Sequence, residues 1–176
     1  MSPGPRKLVL ALHLAVTGGW IGAVAAYLLF DVMVAGASDV DTLRGAYLAM
    51  DLILTSAIAP LALASVLTGV IVALGTRWGL FRHYWVVISL LLTLFATVVL
   101  LRETQVVREL ADVARNPRST ARDLRGLGNT LVHSVGGTAI LLVILVLNVF
   151  KPRGLTRYGR RKERGSVESR RWDSNP

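Results

Sequence analysis

Four stretches of this chain, Leu8–Phe30, Leu52–Leu74, Tyr84–Leu101 and Thr130–Phe150, contain no Lys, Arg, Asp or Glu. At 1.5 Å rise per residue, roughly 20 apolar residues cross the hydrocarbon core of a bilayer. A helix on the surface of a soluble protein keeps a charged or polar face, and these stretches have no charged one. The pattern predicts an all-α polytopic membrane protein, an antiparallel four-transmembrane-helix bundle.

Composition narrows the chemistry. The spans and their connections nearly fill the 176 residues, so no separate soluble domain fits. The expected organisation is a membrane domain over 1–150, with spans at about 8–30, 52–74, 84–101 and 130–150, and a basic, disordered tail over 151–176. Cysteine is absent, which excludes disulfides, thiolate metal sites, Fe–S clusters and Cys-attached haem. There is no nucleotide-binding loop, catalytic triad or zinc-type His-x-x-x-His spacing.

Charge sets an orientation. With the N-terminus inside, residues 1–7, 75–83 and 151–176 hold thirteen Lys/Arg and three acids, a net +10. The outer connections hold seven Arg and eight acids, a net −1, and together the two sides give +9. Lys/Arg excess marks the cytoplasmic side. Both termini are therefore expected in the cytoplasm of a bacterial cell (inner) membrane. The first span is longer than a signal-peptide h-region and reads as a retained anchor. The tail is expected to sit near anionic inner-leaflet lipid at about 1 kcal/mol per basic residue. That placement accounts for its charge without nucleic acid.

The connections carry their own signals. Residues 31–51 read as a short acidic outer connection, with Asp31 ending the first helix and Asp51 beginning the second. Pro60 predicts a kink near Ser56–Ala57. Thr76 to Trp85 reads as a tight inner turn whose Trp78, Phe81, Tyr84 and Trp85 fit an interfacial aromatic belt. Residues 102–129 read as a long outer connection. Its Glu103–Ala114 segment is helical and amphipathic through Val106, Val107, Leu110 and Val113, and Asn116-Pro117 breaks it. Arg102 and Glu103 fall level with Asp31 and Asp51, which suggests an outer ion-pair cluster.

Within the spans the polar residues fall on stripes. The first is His13, Thr17, Trp20, Val24, Tyr27, Asp31; the second is Asp51, Thr55, Ile58, Ala62, Ser65, Gly69. The third is Arg82, Val86, Ser89, Thr93, Thr97, and the fourth is His133, Gly137, Ile144, Asn148. Steps of three and four align residues along a helix. Lipid offers such groups no partners, so the stripes should face one another. Gly18-Gly19 and Gly136-Gly137 each follow an intramembrane histidine. They serve either close helix packing or room for a flat cofactor beside an imidazole.

The three histidines, His13, His83 and His133, all lie in or at a span, where ionisable residues are functional candidates by default. Histidine is also the axial ligand of b-type haem that needs no cysteine. Depth constrains the pairs. His13 and His133 are separated by roughly 16 Å along the membrane normal. Two ligands of one metal lie about 4 Å apart. His13 and His83 differ by roughly 7–9 Å in depth, which tilt reduces. The candidate ligands are thus His13 and His83, with His133 behind them. Gly18, Gly19 and Trp20 are the candidate cofactor contacts.

The run His13-Leu-Ala-Val-Thr-Gly-Gly-Trp20-Ile-Gly22 is similar to the first-helix pattern of CopD-like membrane proteins. Leu74 to Trp85 and the ending from Asn148 resemble an uncharacterised actinobacterial integral membrane family related to them. The resemblance covers nearly the whole chain. It implies either copper uptake or haem binding, as in the four-helix protoporphyrinogen oxidases. Copper handling favours Met and Cys donors, and here Met1, Met33 and Met50 are the only ones. Two readings therefore stand. One is a membrane protein that binds haem b or a similar flat redox cofactor for electron or porphyrin handling. The other is a non-catalytic scaffold or partner subunit, homo- or hetero-oligomeric, in which the histidines pack.

Overall fold

The structure is a computed structural model that describes residues 3–76, 78–128 and 130–173, with side chains described between residues 4 and 165. Arg77 of the inner turn and residues 174–176 of the tail lie outside the described residues. The elements are α1 (Pro3–Gly36), α2 (Val40–Ile53), a π-helical turn (Leu54–Ile58), α3 (Ala59–Gly75), α4 (Tyr84–Arg115), α5 (Ala121–Gly126), α6 (Leu131–Phe150) and α7 (Arg157–Asp173). Among the described residues four continuous helical segments are long and apolar enough to cross a membrane: Gly4–Gly36, Val40–Gly75, Tyr84–Arg115 and Leu131–Phe150. They run antiparallel, and α1, α3, α4 and α6 pack in that cyclic order, so α1 and α4 lie on one diagonal. The fold is the all-α four-helix membrane bundle that the sequence predicts.

The bundle has two ends. One holds the start of α1, the α3–α4 turn and the tail; we call it the terminal face. The other, the far face, holds the α1–α2 and α4–α6 connections. Here the structure corrects two expectations. Residues 31–51 are not a loop: α1 continues to Gly36, and α2 starts at Val40 behind an Asp39 side chain that accepts from the Thr42 N–H at 2.8 Å. The Asp39 cap lets α2 begin at once, so only three residues connect the helices. The Glu103–Ala114 segment is helical as expected, but it is an unbroken continuation of α4, which ends at the Asn116-Pro117 break. At 32 residues α4 is about 48 Å long and outruns a core of about 30 Å.

Pro60 acts as the sequence suggests, in a different form. It has no N–H to bond Ser56, and the chain adjusts by widening one turn rather than by breaking. The Ala59 N–H bonds back to the Leu54 carbonyl across the π turn. The third correction concerns the tail. Arg157–Asp173 is helical, not disordered. The segment before it is fastened to the α3–α4 turn: Thr156 N–H donates to the Arg82 carbonyl at 3.0 Å and Tyr84 N–H to the Gly154 carbonyl at 3.2 Å. Of the aromatics in that turn, Phe81 and Tyr84 are exposed, as a belt requires. Trp85 is buried and stacks edge-on with Trp78 at 5.6 Å.

Candidate functional site

Three of the four stripes face inward. Trp20, Val24, Tyr27 and Asp31 of α1 are buried, as are Asp51, Ile58, Ala62 and Ser65 on the second span and Val86, Ser89 and Thr97 on α4. In α6 the buried line is Ser134, Leu141 and Ile144, one position round from His133, which stays half exposed. This rotation turns His133 away from the axis and towards α4. Two direct pairs join α1 to α3: Thr17 Oγ1 to Ser65 Oγ at 3.1 Å, stripe to stripe, and His13 Nδ1 to Thr68 Oγ1, beside the second stripe, at 2.9 Å.

His13 is held between Thr68 and Gly69. A Cβ on Gly69 would meet the His13 ring at 3.2 Å, so glycine permits the imidazole to lie on α3. The Thr68 hydroxyl also lies 2.7 Å from the Ala64 carbonyl, which can only accept its proton. Nδ1–H therefore donates to Thr68, and Nε2 keeps its lone pair with no hydrogen-bond partner among the described residues.

The remaining candidates lie elsewhere. Gly18 has open space around it on an exposed face, and Gly19 faces Leu61 at 3.5 Å, so neither makes room beside His13. His83 sits at the N-cap of α4, on the helix diagonal to α1. Its Nδ1 lies 2.8 Å from the Trp78 carbonyl and its ring stacks edge-on with Trp78 at 5.1 Å. His83 is thus bonded within its own turn, while His13 is bonded to α3. His133 is separate again, with Nε2 3.4 Å from Glu103 Oε1. Among the described residues no three His, Asp or Glu side chains group as metal ligands would.

What the structure does assemble is a cavity of about 410 Å3 between α1, the π turn, α4 and α6. Val24, Leu54, Ile58, Phe95, Val99 and Leu141 form its apolar wall. The π turn contributes by presenting Leu54 and Ile58, both buried, to this space. Gly136 and Gly137 line it and leave open space where side chains would stand. The pair therefore makes room, but for this cavity rather than beside a ligand histidine.

Polar groups gather towards the far face. Tyr27, Thr130, Glu103 and His133 line the cavity there. Behind them Asp31 is fully buried. Its Oδ1 accepts from the Thr130 hydroxyl at 2.8 Å, and Thr130 in turn lies 2.9 Å from Tyr27 Oη. One proton per hydroxyl fixes the direction: Tyr27 donates to Thr130, which donates to Asp31. Asp31 Oδ2 and Trp20 Nε1 are buried with no partner among the described residues. Trp20 is a cavity wall. It is thus at a candidate site, though not beside His13.

The expected outer ion-pair cluster exists with other partners. Asp51 pairs with Arg115 at 2.6 Å rather than with Arg102, and Glu103 faces His133. The sequence puts Glu103 level with Asp31, but it does not single out Thr130, which links Asp31 to Tyr27. The stripe ending at Tyr27 and Asp31 was the available signal, since residues four apart share a face. Thr130 lies just before a helix and follows no periodicity. No protein-family model, curated protein or solved structure matches the chain.

Proposed function

We propose that this integral membrane protein binds a lipid-soluble molecule with a flat, carbonyl-bearing head, of the isoprenoid-quinone class, in the cavity between α1, α4 and α6. This gives a concrete form to the flat redox cofactor that the sequence suggests. The observation that carries it is the Trp20 indole N–H, buried in the wall of an apolar cavity without an acceptor. Such a group costs about 1–3 kcal/mol while unpaired, and a ligand carbonyl removes that cost. Tyr27, Glu103 and His133 would surround the head, and the glycine pair would leave room for its ring.

The test is equilibrium dialysis of a short-chain benzoquinone analogue against the protein in nanodiscs. The parent should retain more analogue than empty nanodiscs. Gly137→Leu should abolish the excess, and Trp20→Phe should weaken binding by about three- to tenfold, the worth of one hydrogen bond. Retention equal to that of empty nanodiscs defeats the reading.

A second reading rests on His13. An imidazole that donates Nδ1–H to a fixed oxygen and keeps Nε2 bare is arranged as metal-ligating histidines are. His13 would then be the residue that holds haem b, with His83 bonded elsewhere. A Soret band in the purified protein that disappears in His13→Ala supports this reading, and a colourless protein after haem addition rejects it. The orientation proposed from charge places the terminal face in the cytoplasm. A reporter fused after Pro176 should be active only in its cytoplasmic form.

A further inference from the structure

We infer that the docked tail is a binding surface for anionic phospholipid headgroups at the terminal face. The tail is seated by specific bonds rather than by charge alone. Thr156 caps α7: its hydroxyl oxygen accepts the Gly159 N–H at 3.0 Å while donating to the Phe81 carbonyl at 2.6 Å. Gly159 is buried against the α3–α4 turn, and an added methyl there would overlap the Arg82 carbonyl oxygen. Residue 155 forms an antiparallel bridge with His83. These contacts join α7 to the start of α4, so its charges are held at the level where a span enters the membrane.

The charges then fall in a pattern. Arg157, Arg160, Arg161 and Arg164 are all exposed and recur at helical spacing on one face. Exposed Tyr84, Phe81 and Tyr158 lie in the same region, the aromatic composition of a headgroup layer. A guanidinium matches a phosphate bidentately, and four on one face match a row of lipid phosphates. Free nucleic acid would also meet the charge, but the docking at a span end favours lipid.

The experiment places the full chain in nanodiscs of mixed phosphatidylcholine and phosphatidylglycerol and measures the lipids retained on extraction into detergent. The parent should be enriched in phosphatidylglycerol over the bulk mixture. Converting all four arginines to Gln should return the retained lipid to bulk composition, since each basic residue near a charged surface is worth roughly fivefold in partition. Arg118→Gln with Arg122→Gln, on the far face, should change nothing. Gly159→Ala keeps every charge; it should raise amide exchange in α7 and lose part of the enrichment. If Gly159→Ala proves unfolded, Thr156→Val removes the cap and should act likewise. The inference is overturned by a parent without enrichment, by a four-Gln variant that matches it, or by a freed α7 that keeps full enrichment. Preference of the parent for an oligonucleotide over the lipid also overturns it.

Discussion

The far-face extension and the bundle proper are built by opposite rules, although the same helices run through both. In the extension Leu43, Ala46, Tyr47, Met50, Val107, Ala111, Ala114 and Leu124 are at most 1% exposed. Charged Arg108, Glu109 and Asp112 surround that core, as in a water-soluble protein. Nearer the terminal face the inside holds Ala62, Ser65, Thr68 and Ser89, while Leu14, Leu67, Leu74 and Leu91 are each at least 60% exposed. Water drives large apolar groups inward, so burial measures stability in the extension. Lipid is as apolar as leucine, so the bundle is held by close packing of small residues and by hydrogen bonds. Exposure of a leucine thus means different things about 30 Å apart along one helix, the rise from exposed Leu91 to buried Leu110 in α4.

The sharpest way to break this contrast is a pair of leucine deletions. Leu43→Ala should cost about 2–5 kcal/mol, because it empties part of a sealed core. Leu14→Ala, 63% exposed, should stay within about 0.5 kcal/mol in nanodisc melts. Equal losses would mean that the two halves share one kind of core.

A middle-sized effect is expected at the polar chain between the two regions. Thr130→Val should leave Asp31 Oδ1 and the Tyr27 hydroxyl without their mutual partner, at a cost of about 1–3 kcal/mol. Ser89 differs, since its hydroxyl is buried without a partner among the described residues. Ser89→Ala should therefore be close to neutral, whereas Ser89→Leu should cost about 1–3 kcal/mol by overpacking. A Ser89→Leu protein as stable as the parent in detergent melts would put that face towards lipid.

The same contrast explains what the sequence made legible. Charge-free runs and three-to-four spacing are direct consequences of lipid, so the spans and the inward faces of α1, α3 and α4 could be read from residues alone. In the extension residues 31–51 read as a connection and Glu103–Ala114 as a helix apart from the third span, because these segments carry charge, and charge ends a span without ending a helix. Asp51 and Glu103 look like helix boundaries for that reason. They are instead points where a continuous helix leaves the apolar layer, paired with Arg115 and His133. Arg44 shows the limit of local signals. Its Nε bonds the Ala114 carbonyl at 2.9 Å and so satisfies the end of α4 from 70 residues away. The cavity escaped for a similar reason: it needs the π turn, the glycine pair and Trp20 in one place, which only the packing of three helices provides.

The smallest expected effect tests whether the extension behaves as a water-exposed structure to its edge. Asp123 forms a capping box with Thr120: its carboxylate accepts from the Thr120 N–H and hydroxyl, each at 2.8 Å, and Asp123 N–H bonds back to Thr120 Oγ1 at 3.3 Å. The Thr120 N–H, and then its hydroxyl, hold the Asp123 carboxyl below the usual carboxylate range. A carboxyl whose folded pKa is lowered contributes stability above its unfolded value and loses it as pH falls through the folded one. Amide protection in α5 should therefore decline on acidification below the ordinary carboxylate range, with α4 unaffected. The group is fully exposed, so the change should be confined to this one turn and be reduced by salt. Asp123→Asn removes the titrating group and should flatten the pH dependence of α5 protection. If the decline persists in that variant, another acid governs the edge of the extension. Asp39, likewise lowered by the Thr42 N–H, would be the next to replace.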